Sequence, residues 1–344
     1  MSVDIDVKTG PRGVQPAVST RRSGVAGALE RFGLPIIFAV VLLYFALRLP
    51  GTFVTGTNVR TIAVSQSVLA VAALALLFPL VAGRFDISVG SVIGLTSCLA
   101  SGLMANNGQS LVVALVAGVG CGTAIGVVNG FLVAFMGINS LICTIGVSTV
   151  IGGVVFAYTH GVPISSGLSP ALVDLGIQNF AGIPALFLIM ILIAVATWFV
   201  LKMTTYGRYL SAIGSNETAS QLTGIPVRRT VFTSFVVSGT LAGVAGVLQI
   251  ASQGSGNPQV GGISFLLPAL AAVFLGATTL FPGTYNVPGT ILGLYFVSTT
   301  VSGLTLSGVQ PWITDVFNGA AVVVAVGLAA QFRRRRTGTA RLGE

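Results

Sequence analysis

From Phe32 to Phe332, about 300 residues, the sequence carries only four acidic side chains: Asp86, Asp174, Glu217 and Asp315. A soluble domain draws roughly a quarter of its residues from Asp, Glu, Lys and Arg, whereas this chain draws 7% and is 53% hydrophobic. So few charges cannot cover a water-facing surface of this size. The solvent for most of the chain is therefore lipid. Lipid offers no partner to a free backbone N–H or C=O, and the long continuous apolar runs predict an all-α integral membrane protein.

A bilayer core of about 30 Å takes about 20 apolar residues per helix. Runs at 33–49, 61–82, 87–105, 111–136, 141–158, 183–201, 231–251, 264–280, 288–306 and 312–332 predict about ten transmembrane helices joined by mostly brief connections. The eighth run is short and contains Pro268, and the fourth is long. The net charge of +9 sits largely in the tails, five basic residues before Phe32 and five after Phe332. That distribution follows the positive-inside rule and excludes a nucleic-acid-binding face. With the N-terminus and C-terminus cytoplasmic, Arg84 and the 202–230 loop also lie inside, and only Arg48 and Arg60 face out. The expected organisation is a disordered basic cytoplasmic tail at 1–32, a polytopic transmembrane domain at 33–332 and a basic cytoplasmic tail at 333–344. The opening stretch is too long and polar to begin a cleaved signal peptide.

Small residues recur at every fourth position in the fourth span, at Ala114, Gly118, Gly122, Gly126 and Gly130. The seventh span carries Gly239 and Gly243, and Ala242 and Gly246. Such ridges let helix backbones approach closely where lipid supplies no hydrophobic drive between helices. Close packing is the expected role, ahead of pore lining. There is also an echo: Gly83-Arg-Phe-Asp-Ile-Ser-Val-Gly-Ser-Val-Ile-Gly-Leu95 resembles Gly283-Thr-Tyr-Asn-Val-Pro-Gly-Thr-Ile-Leu-Gly-Leu294, one residue shorter. Internal duplication, as in many transporters, and chance likeness between glycine-rich turns both account for it.

The marks of membrane enzymes are missing. The sequence has no paired-carboxylate cluster and no H-E-x-x-H, and its one histidine, His160, has no companion for a metal site or a Ser-His pair. No G-x-x-x-x-G-K-[ST] phosphate loop is present. Cys98, Cys121 and Cys143 lie within apolar segments and read as small buried residues. An ion-coupled carrier needs ionisable groups at membrane depth, and Asp86 and Asp315 are the only candidates. Asp86 reads as a cap for the third span with Ser88 beside it, and Arg84 stands within pairing range. The neutral polar residues Gln66, Ser88, Ser91, Asn129, Thr144, Thr149 and Asn318 suit a path for an uncharged, hydroxyl-rich solute. Each also suits a helix–helix hydrogen bond. Asp86, Gln66, Ser88, Ser91, Asn129 and Asn318 are the candidates for a translocation path.

The connection from Lys202 to Thr230 is the most patterned part of the chain. Asn216 caps an expected short helix, Glu217–Thr223, that stops at Gly224. Ala219 and Leu222 share one face of that helix, which fits it to dock in a partner's groove or to be an ordinary surface helix. The segment from Tyr206 through Gly207, Arg208, Gly214, Asn216 and Gly224 to Ile225 resembles the ATPase-contacting loop of permeases of ribose-type ABC sugar importers. The resemblance extends in matching order to Gly83–Gly94, to Thr144 through Ile164, and to Ala271–Gly293, covering about residues 35–332. Importers of this general kind carry a Glu-Ala-Ala-x3-Gly pattern in the loop. Aligned on Gly224, those positions hold Thr218, Ala219 and Ser220, with Glu217 one place earlier.

The resemblance implies a non-catalytic translocation subunit in the bacterial cytoplasmic membrane. It implies two permeases, the second a copy or a paralogue, with two cytoplasmic ABC ATPases carrying the ATP and magnesium, so this chain holds no cofactor. An extracytoplasmic binding protein would deliver a monosaccharide or related polyol. Gly207, Arg208, Gly214, Asn216, Glu217, Ala219, Leu222 and Gly224 would then form the ATPase-coupling element. The alternative is a secondary, ion-coupled carrier using Asp86 or Asp315.

Overall fold

Where an apolar run is continuous, the backbone closes its hydrogen bonds locally and forms a helix; where glycine and proline interrupt it, the chain turns. In a computed structural model that describes residues 24–310 and scattered positions between 312 and 327, with side chains from Phe32 onward except Ser264, this logic gives twelve helices and one small hairpin. They are α1 (Gly24–Arg48), α2 (Gly56–Val81), α3 (Val89–Ala105), α4 (Leu111–Ala134), α5 (Ser140–Thr159) and α6 (Pro170–Ile177). The hairpin pairs β1 (Asn179–Phe180) with β2 (Ile183–Pro184). There follow α7 (Ala185–Met203), α8 (Thr205–Ser215), α9 (Glu217–Leu222), α10 (Val227–Gln253), α11 (Gly262–Gly276) and α12 (Val287–Leu306). Among the described residues, α2, α4, α5, α7, α10 and α12 are long and apolar enough to cross a membrane, while 32–48 of α1, α3 and 265–276 of α11 are shorter apolar stretches. Asp315, Asn318, residues 1–23 and the C-terminal tail lie outside the described residues, while residues 24–32, expected in the N-terminal tail, open α1.

Burial sorts the helices. Of the apolar stretches, 72% of α2 and 61% of α10 lie inside the molecule, against 22% of α4 and of α7. The bundle is therefore built around α2 and α10, with α4, α5 and α7 presenting much of their surface outward. Side chains such as Val116, Phe131, Ile142, Val150 and Leu192 are exposed on that outer surface, as a lipid-facing layer requires.

The glycine ridges pack as their spacing predicts. A Cβ on Gly122 would come within 2.5 Å of the Gly239 carbonyl oxygen, and one on Gly126 within 2.5 Å of that of Phe235. One on Gly243 would meet Val119 Cα at 2.9 Å. Thr123 and Thr240 add a hydroxyl–hydroxyl bond of 2.9 Å across the same seam.

The sequence echo has a structural counterpart. Gly83 and Gly283 both open the turn after an apolar helix with positive φ, 76° and 81°. In each copy an acceptor three residues on then receives a backbone N–H at the entry to the next helix: Asp86 Oδ1 from Ser88, just before α3, at 3.2 Å, and Asn286 Oδ1 from Gly289, inside α12, at 2.7 Å. Beyond that turn the copies differ, because α11 packs along α12 while α2 stands apart from α3.

Three connections differ from the expectation of brief loops. Residues 160–184 hold α6 and the hairpin, and α6 rests on α10 where Gly176 meets Ala251. The 202–230 connection holds two helices in place of one: Leu210 and Ile213, a turn apart, bury against the ends of α2 and α10 and fold α8. α10 starts at Val227, so Arg228 and Arg229 lie within it and not before it. Finally, residues 254–261 between α10 and α11 are not helical.

Replacing Gly239 with Leu is expected to force α4 and α10 apart and destabilise the fold by about 1–3 kcal/mol or more. Gly120→Leu, at a position with nothing within 4 Å of an added Cβ, is expected to be silent. Thermal aggregation of the two variants in detergent measures the difference.

Candidate functional site

The coupling element is assembled by local rules. Thr204 ends α7 and caps α8, its Oγ1 accepting the Gly207 N–H at 3.3 Å. Gly207 is required at that corner because a side chain would run into the carbonyl of Leu201. Gly214 likewise lies directly on the Val81 carbonyl at the end of α2. Asn216 Oδ1 accepts the Ala219 N–H at 3.0 Å, capping α9 as expected. Gly224, at φ 81°, turns the chain out of α9 in the left-handed region that favours glycine. Ser220 faces inward, 4% exposed, while Ala219 and Leu222 face outward, Leu222 at 85%. An apolar side chain that exposed on a helix held in place on its other face is an unpartnered surface. Arg208 is also exposed, donating to Thr205 Oγ1 at 3.1 Å. Tyr206 anchors the element: it stacks on Phe78 and its hydroxyl accepts from Thr233 Oγ1 at 3.2 Å. Burial pushes its pKa up to about 12, so the phenol stays neutral.

Glu217 does not point away toward a partner alone. Arg84 Nη2 donates to Glu217 Oε2 at 2.6 Å, tying α9 to the loop between α2 and α3. Arg84 therefore pairs with Glu217, not with Asp86, the acid within pairing range along the sequence. The two side chains are 33% and 41% exposed, so the pair contributes little to stability. Its consequence is mechanical connection.

The same loop continues inward residue by residue. The Phe85 N–H donates to Ser140 Oγ at 3.1 Å and the Ile87 N–H to Thr144 Oγ1 at 3.0 Å, both on α5. Between them Asp86 turns into the bundle, 3% exposed. Its Oδ1 accepts from the Ser88 N–H and, at 2.6 Å, from Ser88 Oγ; its Oδ2 accepts from Ser238 Oγ of α10 at 2.9 Å. Asn129 Nδ2 of α4 donates to Ser88 Oγ at 2.8 Å, leaving its own Oδ1 without a partner. A buried carboxylate is tolerated when its lone pairs are filled, and here hydroxyls and an N–H fill them.

The structure thus unites three of the path candidates, Asp86, Ser88 and Asn129, in one buried cluster. It adds Ser238, which the sequence reading passed over because a lone serine in an apolar span carries no signal of its partner. Ser91 lies apart, bonded to Ser148 of α5 at 2.6 Å. Gln66 is elsewhere on α2, half-buried, with Oε1 unpartnered. Thr149 is exposed and returns its hydroxyl to the Ile145 carbonyl. Cys98 and Cys143 are buried and Cys121 half-buried, all free thiols.

The apolar helical bundle thus carries a capped, outward-facing helix at one end and, behind it, a buried polar cluster bonded throughout except at Asn129 Oδ1. The family model described as branched-chain amino acid transport system, permease component, matches residues 58–326. The ribose import permease protein of Escherichia coli (strain K12) is 32% identical over 85% of this chain and 91% of its own. The L-arabinose ABC transporter permease protein of Azospirillum brasilense is 30% identical over 93% of both chains, and the D-allose transport system permease protein of E. coli is 27% identical over 87% and 91%. No solved structure matches the chain. The chain belongs to this permease family, among the ribose-type ABC sugar permeases, and is a multi-pass membrane protein.

Asp86→Ala is expected to strand the Ser238 hydroxyl and the Ser88 N–H, destabilising the fold by about 1–3 kcal/mol. Asp86→Asn, which keeps an acceptor for Ser88, is expected to cost less. Thermal denaturation in detergent ranks the two.

Proposed function

We propose that this chain is the membrane-spanning subunit of an ATP-driven importer that moves a monosaccharide or related polyol delivered by an extracytoplasmic binding protein. The observation that carries the reading is the α8–α9 unit, capped at Thr204 and Asn216, closed at Gly224, and presenting Ala219 and Leu222 outward. In this reading that end is cytoplasmic, both termini lie on the same side, and the chain crosses the membrane about ten times. The clustering of Lys and Arg at this end and in the tails supports it. Two such permeases, copies or paralogues, would enclose the path, and separate ATPase subunits would bind ATP and magnesium. The chain itself performs no catalysis.

The connectivity supports a lever. Closure of the ATPases moves α9; Arg84–Glu217 passes that movement to the α2–α3 loop; Ser140, Thr144 and Ser238 pass it on to α5 and α10. Rigid-body shifts of packed helices between two arrangements are a common form of such switching. Asp86, one of the two acids an ion-coupled carrier could use, is held in place by Ser88 and Ser238 and so ties α10 to the α2–α3 loop.

The reading is tested by pull-down from detergent-solubilised membranes. An ATPase subunit is expected to co-purify with the intact chain and to be lost when residues 216–224 become a Gly/Ser linker; a clean preparation without ATPase would refute it. Charge reversal at Glu217, or Gly224→Pro at a φ of 81° that proline cannot adopt, is expected to uncouple ATP hydrolysis from uptake with membrane insertion intact. Restored coupling in the swap Arg84→Glu with Glu217→Arg would assign the effect to the ion pair.

A further inference from the structure

The span that follows α10 is a discontinuous one. α10 stops at Gly254, residues 254–261 run on without helix, and α11 begins only at Gly262. The non-helical stretch descends antiparallel along α3: Gly256 lies against Ser97 and Ser101, the Val260 carbonyl against Gly94, and Gly261 and Gly262 against Gly90. At 1.5 Å per residue, Gly90 to Ser101 is about 16 Å, near half of a bilayer core of about 30 Å. The helix that completes the span, at fifteen residues, is only about 22 Å long. Ser91, beside the foot of this descent, bonds Ser148 in the interior of α5 and not at its end.

Non-helical backbone at membrane depth is tolerated where it is buried in protein or lines a wet cavity. Here it is packed on α3 and on its other side lines a cavity of about 520 Å³, between this segment, α3 and α5, with Ser91, Gly152, Phe156, His160, Gln259 and Gly261 in its wall. That volume lies in the range of small-molecule sites, roughly 300–1,000 Å³. The larger groove nearby, about 630 Å³ between α4 and α5, is walled by aliphatic side chains such as Leu95, Val128 and Val154 and suits lipid chains. The 520 Å³ cavity differs in kind. Beside aliphatic Ile151, Val155 and Val260 and the ring of Phe156, it offers an imidazole, a carboxamide, the backbone of a side-chain-free Gly261–Gly262 pair and the Ser91 hydroxyl that Ser148 holds, and no carboxylate, ammonium or guanidinium. A charged solute would enter it uncompensated. A hydroxylated ring would not, since its hydroxyls meet the polar groups and its C–H face meets Phe156.

Gly152 sharpens the point. A Cβ there meets nothing within 4 Å, unlike Gly94 across the cavity, which a backbone contact requires. Packing does not demand this glycine, and its effect is to leave the cavity open.

We propose that the descending segment 254–262, Ser91 of α3 and the Gly152–Phe156 face of α5 form a solute-holding chamber for a neutral, polyhydroxylated ring of monosaccharide size. The assignment rests on the importer reading. Its test uses the complete complex with its ATPase and binding protein in proteoliposomes, with D-ribose, L-arabinose and D-allose as probes. Gly152→Phe, which adds bulk to the chamber wall where a Cβ meets nothing within 4 Å, and Gln259→Leu, which removes the carboxamide, are each expected to lower uptake at least tenfold. Complex assembly and ATPase turnover should stay within twofold of the parent. Gly120→Phe, on the outer face of α4, serves as the control and should transport normally. Parental uptake in both chamber variants would overturn the chamber and leave the importer reading standing, and so would loss of uptake together with ATPase turnover in an assembled complex. Absence of ATP-dependent uptake by the parent complex of these three probes and of a panel of further monosaccharides and polyols would instead overturn the importer reading beneath it.

Discussion

The contact on which the rest of the structure depends is the backbone-to-backbone seam between α4 and α10. In lipid, two helices gain nothing by hiding apolar surface from each other, since the tails are as apolar as they are. What remains is dispersion and hydrogen bonding, and both require close approach. Gly122, Gly126, Gly239 and Gly243 supply it by putting Cα hydrogens where side chains would stand. With α4 held there, α10 becomes a fixed central post beside α2, buried along most of its length.

Both candidate functional regions hang from that post. At its N-terminal end, Val227, Val231 and Phe235 bury against α8 and the end of α2, which sets the angle at which α9 leaves the bundle. Midway, Ser238 holds the Asp86 carboxylate, so the α2–α3 loop is fastened to α10 on one side and, through Arg84, to α9 on the other. At its C-terminal end α10 breaks, and the chain it releases descends along α3 to build the polar cavity. A displacement of α9 therefore has a continuous route of packed and hydrogen-bonded groups into the bundle. In a close-packed medium such groups shift between discrete arrangements more readily than they deform.

How much of this was legible depended on how local each cause is. The capped α9 was readable in Asn216, Glu217 and Gly224, because a cap and a left-handed stop are decided within eight residues. The glycine ridges were readable because a four-residue period implies a face, although nothing in the period named α10 as the partner of α4. The pairing of Arg84 was not readable: Asp86 is two residues away and Glu217 is far along the chain, yet the loop turns Asp86 inward and leaves Arg84 at the surface beside α9. α8 was hidden because its apolar face, Leu210 and Ile213, is too sparse to stand out without the helix ends it packs on. The chamber was hidden for a related reason. Gln259, Ser91 and Gly152 come from three separate segments, and no spacing links them.

The sequence by itself determined the solvent, the helical class and the caps of α9. Scarcity of charge, apolar run length and capping residues act through lipid and through nearest neighbours along the chain. Tertiary structure alone decided which polar group each buried donor would meet, and where the chain could abandon the helix. Those choices are made by groups tens to hundreds of residues apart, brought together by packing between helices.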